Sequence, residues 1–262
     1  MKNAQITNFL SLVKFSHTIF ALPFALLGYF LALEYSVHEF DIWLLAKVVL
    51  CMVFARSAAM AFNRYIDRDI DAKNERTAAI REIPAGVISP KAALVFVVVN
   101  AILFIATTYF INSLCFYLSP IALGVVLGYS YTKRFTALCH LILGLGLSLA
   151  PIGAYLAVTA EFAWLPVYYS IGVLFWVAGF DMIYALQDRE FDESMSLHSI
   201  PAAIGAKNSL RLSFVFHLLS AFIMILAAYR AEGNWFYWTG TILFIALLFY
   251  QHTLVKADDL SK

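Results

Sequence analysis

The sequence predicts an all-α fold: a polytopic bundle of membrane helices in one domain over residues 1–262, with a central cavity open to the cytoplasmic side. Three observations carry this expectation. Of 262 residues, 62% are hydrophobic and only 13% charged, with a mean hydropathy of +0.80. Apolar runs of near-constant length recur along the whole chain. The charged residues gather in alternate connections between those runs. A soluble domain of this length could not cover so much apolar surface.

Eight spans are read: 15–34, 42–63, 92–111, 114–131, 137–158, 164–187, 209–229 and 235–254. Each approaches the ~20 residues that cross a hydrocarbon core. The first follows the N-terminal residues directly and lacks a cleavage site, so no removable leader is expected. After the second span, residues 64–75 are expected to prolong its helix beyond the membrane. Pro84-Ala85-Gly86 and Ser89-Pro90 then break the chain before the third span. Spans three to six are joined by short connections. A second long connection, 188–208, precedes the last two spans. Because the two long connections follow helices four spans apart, a four-helix unit used twice is expected, each half bringing one acidic cluster to a shared cavity. Cys51, Cys115 and Cys139 lie in apolar runs without C-x-x-C spacing and read as small buried hydrophobes.

Charge fixes the expected orientation. Lys2, Lys14, Arg64, Arg68, Lys73, Arg76, Arg81, Lys91, Lys133, Arg134, Arg189, Lys207, Arg211, Lys256 and Lys262 fall on one side. The other side holds Arg230, with Lys47 just inside its helix, and the acids Glu34, Glu39, Asp41, Glu161 and Glu232. By the positive-inside rule, both termini and both long connections are cytoplasmic. Trp43, Trp164, Trp235 and Trp238 near the outer helix ends suit an interfacial belt. The expected location is a bacterial inner membrane, with the active site facing the cytoplasm.

Two acidic clusters stand at the inner helix ends. NRYIDRDID carries Asn63, Asp67 and Asp71; DMIYALQDREFD carries Asp181, Asp188 and Asp192. Spacings of four and seven place each set on one helix face. Carboxylates beside a bilayer core are costly and mark sites. These are hard oxygen ligands without a nearby zinc-type His/Cys set, so Mg²⁺ is the expected ion, at Asn63, Asp67, Asp71, Asp188 and Asp192. Arg64, Arg68, Lys73, Arg76, Arg81, Lys133 and Arg134 interleave with the acids. A cation channel or transporter gains nothing from them, and the outer helix halves are almost purely apolar. A diphosphate needs both metals and cations. In a membrane, that substrate is most naturally a polyprenyl diphosphate, its tail among the helices. Loss of diphosphate leaves an allylic cation that needs dry, aromatic surroundings. Tyr29, Phe104, Tyr109, Tyr155, Phe175 and Tyr184 are candidates in number, with packing or lipid contact as the plainer reading.

Arg56 shares the face of Asn63, Asp67 and Asp71, two turns deeper. An arginine at that depth needs an anion. It is either a clamp for a substrate carboxylate or diphosphate, or a structural partner of Asp181. Asp181, two turns before Asp188, could itself be a ligand, a proton acceptor or that partner. Tyr129 and Lys133 form a Y-x-x-x-K with phenol above ammonium. His17, Thr18, Asn100, Asn112, His140, His198 and His217 are weaker signals, and a lone intramembrane histidine serves equally well as a helix–helix hydrogen bonder.

These motifs resemble the UbiA-type membrane prenyltransferases, which pair N-x-x-x-D-x-x-x-D with D-x-x-x-D and Y-x-x-x-K over nearly the whole chain. RSAAMAFNRYIDRDIDAKNERTA, REIPAG and GFDMIYALQDREFDESMSLHSIPA resemble the 4-hydroxybenzoate polyprenyltransferase-like branch associated with futalosine-route menaquinone. Many members have Asp after the Asn; here Arg64 stands there. The resemblance implies Mg²⁺-dependent prenylation of an aromatic acid, 1,4-dihydroxy-6-naphthoate or 4-hydroxybenzoate, by electrophilic attack on the ring. Haem O synthases share N-x-x-x-D-R-D-I-D, and UbiA-type terpene cyclases would share the metal site. The family generally has nine spans and eight are read here, the sequence stopping at VKADDLSK where relatives would continue; either the sequence is truncated before a ninth helix or that helix is dispensable. Expected partners are the two substrates and membrane lipid, with no nucleic acid; oligomeric state is not legible.

Overall fold

The structure, a computed structural model, describes residues 2–255, less the side chains of 2–6 and 15–19. The side chains of Lys2, His17, Thr18, Lys256 and Lys262 lie outside that set. The described residues are helical, with no strand among them. In chain order the helices are α1 (Lys2–Leu12), α2 (Phe15–Glu34), α3 (Ile42–Ile66), α4 (Arg68–Asp71), α5 (Glu75–Ala78) and α6 (Pro90–Tyr109). There follow α7 (Ser113–Thr132), α8 (Cys139–Thr159), α9 (Trp164–Ala185), α10 (Arg189–Ser194), α11 (Ile200–Arg230) and α12 (Trp235–Leu254). Each apolar run read from the sequence contains one long helix. Six of these (α3, α6, α7, α8, α9 and α11) are long and apolar enough to cross a membrane.

Helix starts follow local chemistry. Asp41 caps α3 by accepting from the Trp43 N–H at 2.8 Å, and Asn234 caps α12 through the Phe236 N–H at 3.0 Å. Ser89 caps α6 and Ser199 caps α11, each with proline in the first turn, where its missing N–H costs nothing.

The chain divides into two compact units. One comprises the chain up to Tyr131 with Gly153–Phe162; the other comprises Thr132–Ile152 and the chain from Ala163 onward. In the first unit, Leu12 and Val13 bury against Ala58 and Ala61 of α3, Ile83 and Ile88 of the α5–α6 connection, and Ala93 and Val97 of α6. The Ser11 hydroxyl donates to Glu82 at 2.5 Å. The connection carrying Arg81 is therefore tied to α1. The Tyr29 hydroxyl donates to the Asp41 carbonyl at 2.7 Å, a brace at the opposite end of α2 from Lys14.

The helix of the second span, α3, does not run unbroken to residue 75. It stops at Ile66; Asp67 is its C-cap at φ −87°, ψ 3°, and α4 resumes for one turn. Asp67, Asp69 and Asp71 are poor helix formers because their short side chains compete for backbone groups. The four-residue ladder still passes through the break, from Asp67 N–H to Asn63 O at 2.9 Å and from Asp71 N–H to Asp67 O at 2.8 Å. The acidic side chains thus keep their common spacing.

In the second unit, α9 and α11 pack through small residues. The hydroxyls of Ser213 and Ser220 donate to the carbonyls of Gly179 and Gly172, both at 2.8 Å. The seven-residue repeat on both helices gives a close, straight seam. Gly205, at φ 78°, kinks α11 and sets its first turn apart from the long apolar part. Gly144 of α8 lies so near α9 that a Cβ there would meet the Leu174 carbonyl oxygen at 2.5 Å.

That oxygen is backbone and cannot swing aside. Gly144→Ala should therefore destabilise the protein by about 1–3 kcal/mol through overpacking, read as a lower melting temperature in detergent; an unchanged one would contradict the described approach.

Candidate active site

The first acidic set lies in the first unit. Asn63 lies in the last turn of α3, and its Nδ2 donates to Asp67 Oδ2 at 2.9 Å. That bond holds one carboxylate and leaves the Asn63 amide oxygen for another use. Asp67 and Asp71 are only 3% and 6% exposed. Carboxylates so buried need donors or cations to remain charged. Arg81 reaches Asp71, with Nη1 3.7 Å from Oδ2. Thr77 makes this possible: its hydroxyl donates to the Asp71 carbonyl at 2.9 Å and folds α5 back beneath α4.

The neighbouring cations differ in placement. Arg68 donates to the Tyr65 carbonyl at 2.7 Å and lies over the Tyr65 ring at 4.8 Å, with Asp69 at 3.8 Å. Lys73 and Arg76 are exposed, and the Arg76 N–H bonds to the Asn74 side chain. Arg64 is buried rather than facing solvent. Arg56 has a buried Nε that makes no hydrogen bond and lies near enough to Tyr129 for electrostatic interaction. A buried guanidinium donor in this condition suits an incoming anion.

The second set belongs to the second unit. Asp188 closes a 3₁₀ turn, Leu186–Asp188, and α10 follows it with Asp192 inside. Ser199, Lys133 and Asp188 all lie near enough to Asp192 to act on its charge. Ser199 also accepts from the Ala202 N–H at 3.3 Å as the cap of α11. The Lys133 carbonyl accepts from the His198 N–H at 2.7 Å, and the Cys139 thiol reaches the His198 carbonyl at 3.5 Å. Lys133 is thereby fixed beside the acidic turn. Tyr184 is half exposed on α9.

Asp181 pairs with His140, which the sequence offered only as a weaker signal and not as its partner. His140 Nδ1 is 2.7 Å from Asp181 Oδ2, while the Ile200 N–H donates to His140 Nε2 at 3.2 Å. Among the sequence's weaker signals, Asn100 bonds to the Phe96 carbonyl of its own helix, Asn112 to the Leu156 carbonyl, and His217 to His252 and Trp176. Ser199 was legible only as a helix start; its nearness to Asp192 depends on the α10–α11 connection, which no local pattern specifies.

The donors fit a hard divalent ion. Asn63, Asp67, Asp71, Asp188 and Asp192 offer only oxygen, and no group of three His, Cys, Asp or Glu converges among the described residues. Mg²⁺ suits such sparse carboxylates because water and phosphate oxygens complete its shell.

Comparison with known proteins matches residues 21–262 to the UbiA prenyltransferase family. The chain is 30% identical over 224 residues to a 4-hydroxybenzoate octaprenyltransferase of Vibrio atlanticus (strain LGP32), covering 86% of this chain and 78% of that protein. It is 31% identical over 220 residues to the protein of that name from Aeromonas salmonicida (strain A449), covering 82% and 74%. The apo structure of a UbiA homolog from Aeropyrum pernix K1 superposes with a TM-score of 0.85 at 31% identity, over 91% of this chain and 88% of that one. A UbiA homolog from Archaeoglobus fulgidus bound to GPP and Mg²⁺ shares the fold, with a TM-score of 0.75 at 20% identity over 95% and 87%.

Ser199→Ala removes the cap of α11. The expected loss is about 1 kcal/mol, seen as a lower melting temperature that Ser199→Thr restores; a wild-type melting temperature for the alanine variant would contradict the cap.

Proposed function

Because the chain belongs to the UbiA prenyltransferase family, and is accordingly an integral membrane transferase, we propose that it moves a polyprenyl group from polyprenyl diphosphate to an aromatic acid in quinone biosynthesis. The observation that supports this most is the pairing of buried oxygen donors with nearby cations at helix ends: Asn63–Asp67 and Arg81–Asp71 in one unit, and Ser199 and Lys133 beside Asp192 in the other. Asn63, Asp67, Asp71, Asp188 and Asp192 are the residues that would hold Mg²⁺ and, with it, the diphosphate. Mg²⁺, when bound, neutralises charge on the departing diphosphate. Lys73, Arg76 and Lys133 offset the remaining phosphate charge, with Arg68 and Tyr129 in the same head-group site.

The bond between the prenyl C1 and diphosphate oxygen breaks with its electron pair on diphosphate. The apolar helices keep water from the resulting cation, and Tyr184 is a candidate to face it. A ring carbon made nucleophilic by its hydroxyl bonds to C1, and Asp181 takes the displaced ring proton. Arg56 holds the acceptor's carboxylate, consistent with its buried, unbonded Nε. The curated relatives favour 4-hydroxybenzoate as acceptor, with 1,4-dihydroxy-6-naphthoate the alternative implied by the branch resemblance. The excess of Lys and Arg on one side favours an active site facing the cytoplasm of a bacterial inner membrane.

Asp67→Asn and Asp188→Asn should each lower Mg²⁺-dependent prenyl transfer about 100-fold or more while leaving the melting temperature unchanged. Wild-type turnover in either variant would overturn the assignment. Arg56→Met should raise KM for the aromatic acid about tenfold or more and leave that for prenyl diphosphate unchanged; the reverse pattern would place Arg56 on the diphosphate. Product analysis with both acceptors tests the reaction itself.

A further inference from the structure

His140 is a buried histidine in the first turn of α8, far in sequence from both acidic motifs. Its two ring nitrogens are both committed. Nε2 accepts from the backbone N–H of Ile200 at 3.2 Å. A nitrogen that accepts a hydrogen bond carries no proton, so the ring proton sits on Nδ1. Nδ1 lies 2.7 Å from Asp181 Oδ2 and donates to it. The side chain of His140 is 4% exposed, whereas that of Asp181 is 27% exposed. One carboxylate oxygen is thus gripped from the protein side, while the group as a whole stays accessible. The Ile200 N–H is itself fixed at the capped start of α11. The chain of bonds runs from a rigid helix end, through an imidazole, to an accessible carboxylate.

We propose that His140 is a positioning residue for Asp181: the Ile200 N–H selects its tautomer, and the Nδ1–H then orients the carboxylate that receives the ring proton. This rests on the proposed prenylation of an aromatic acid. The logic is that of an imidazole whose second nitrogen is fixed by another group, so that the first presents a defined bond. Here the order is turned around, with the histidine inside and the carboxylate toward the reaction. Deeper burial of the histidine than of the acid is what assigns the roles.

The two bonds can be separated by substitution. In His140→Asn the amide nitrogen replaces Nδ1, keeping a donor for Asp181 and losing the acceptor for Ile200. In His140→Gln the amide oxygen replaces Nε2, keeping the acceptor for Ile200 and losing the donor for Asp181. Positioning through Asp181 predicts that His140→Asn keeps kcat within about threefold, while His140→Gln lowers it about tenfold or more with both KM values unchanged. Asp181→Asn combined with His140→Gln should be no slower than Asp181→Asn alone. Loss of kcat in His140→Asn with retention in His140→Gln would overturn the inference, since the histidine would then act only by tethering α11. Equal activity of all variants would overturn it too.

A readout independent of the reaction is the ¹⁵N spectrum of histidine-labelled protein, in which the His140 signals vanish in His140→Asn. A proton on Nδ1 with none on Nε2 supports the inference, and a proton on Nε2, alone or together with one on Nδ1, overturns it whatever the acceptor proves to be. Absence of any prenylated aromatic acid from the wild-type enzyme would instead sink the proposed function, leaving the tautomer measurement to judge the bond.

Discussion

A carboxylate at the edge of a hydrocarbon layer stays charged only if a donor or cation is held against it. That requirement organises the surroundings of the acidic side chains within each unit. Asn63 donates to Asp67, Arg81 stands beside Asp71, Ser199 and Lys133 lie near Asp192, and His140 meets Asp181. Each donor is in turn set by a backbone feature: the end of α3, the turn pinned by Thr77, the cap of α11 and the Ile200 N–H. Desolvation raises the cost of a misplaced charge, so the surrounding fold is spent on placing it.

The apolar parts of the helices supply the rigidity this needs. The Gly172–Ser220 and Gly179–Ser213 contacts bring α9 and α11 together along a repeated seam, and Gly144 admits α9 against α8. In lipid the hydrophobic effect does not press helices together, and close packing with interhelical hydrogen bonds takes its place. Asp181 and His140 are carried by two of these closely packed helices. The bond between them therefore inherits its geometry from glycine contacts deeper in the same unit.

The long helices were legible because each is a nearly pure apolar run, and the acidic sets because charge in such a context is conspicuous. The spacing of Asn63, Asp67 and Asp71 survived the helix break, since the backbone ladder continues from Asn63 O to Asp71 N–H. The break itself was missed: periodicity alone carries the pattern through residue 75, and only the aspartate run hints at a stop. Arg68 read as one more cation near the acids, yet its guanidinium lies over the Tyr65 ring. Arg64 counted among the inner-side charges, yet it is buried. His140 depends on contacts with residues 41 and 60 positions away, and the place of Ser199 near Asp192 depends on the connection between α10 and α11, which spacing rules for one helix cannot reach. The Tyr29 hydroxyl, counted among aromatic candidates, instead ties α2 to the start of α3.

Family membership fixes the class of chemistry, and the geometry of this chain says which side chains are prepared for it. The proposed function has each acidic set contribute to Mg²⁺-dependent binding of a diphosphate. Its most direct test is binding of an unreactive prenyl thiodiphosphate to the wild-type protein, Asp67→Asn and Asp188→Asn, each titrated with and without Mg²⁺. The account predicts that Mg²⁺ strengthens binding in the wild type and that either substitution removes this gain. Mg²⁺-strengthened binding that persists in one variant would contradict it.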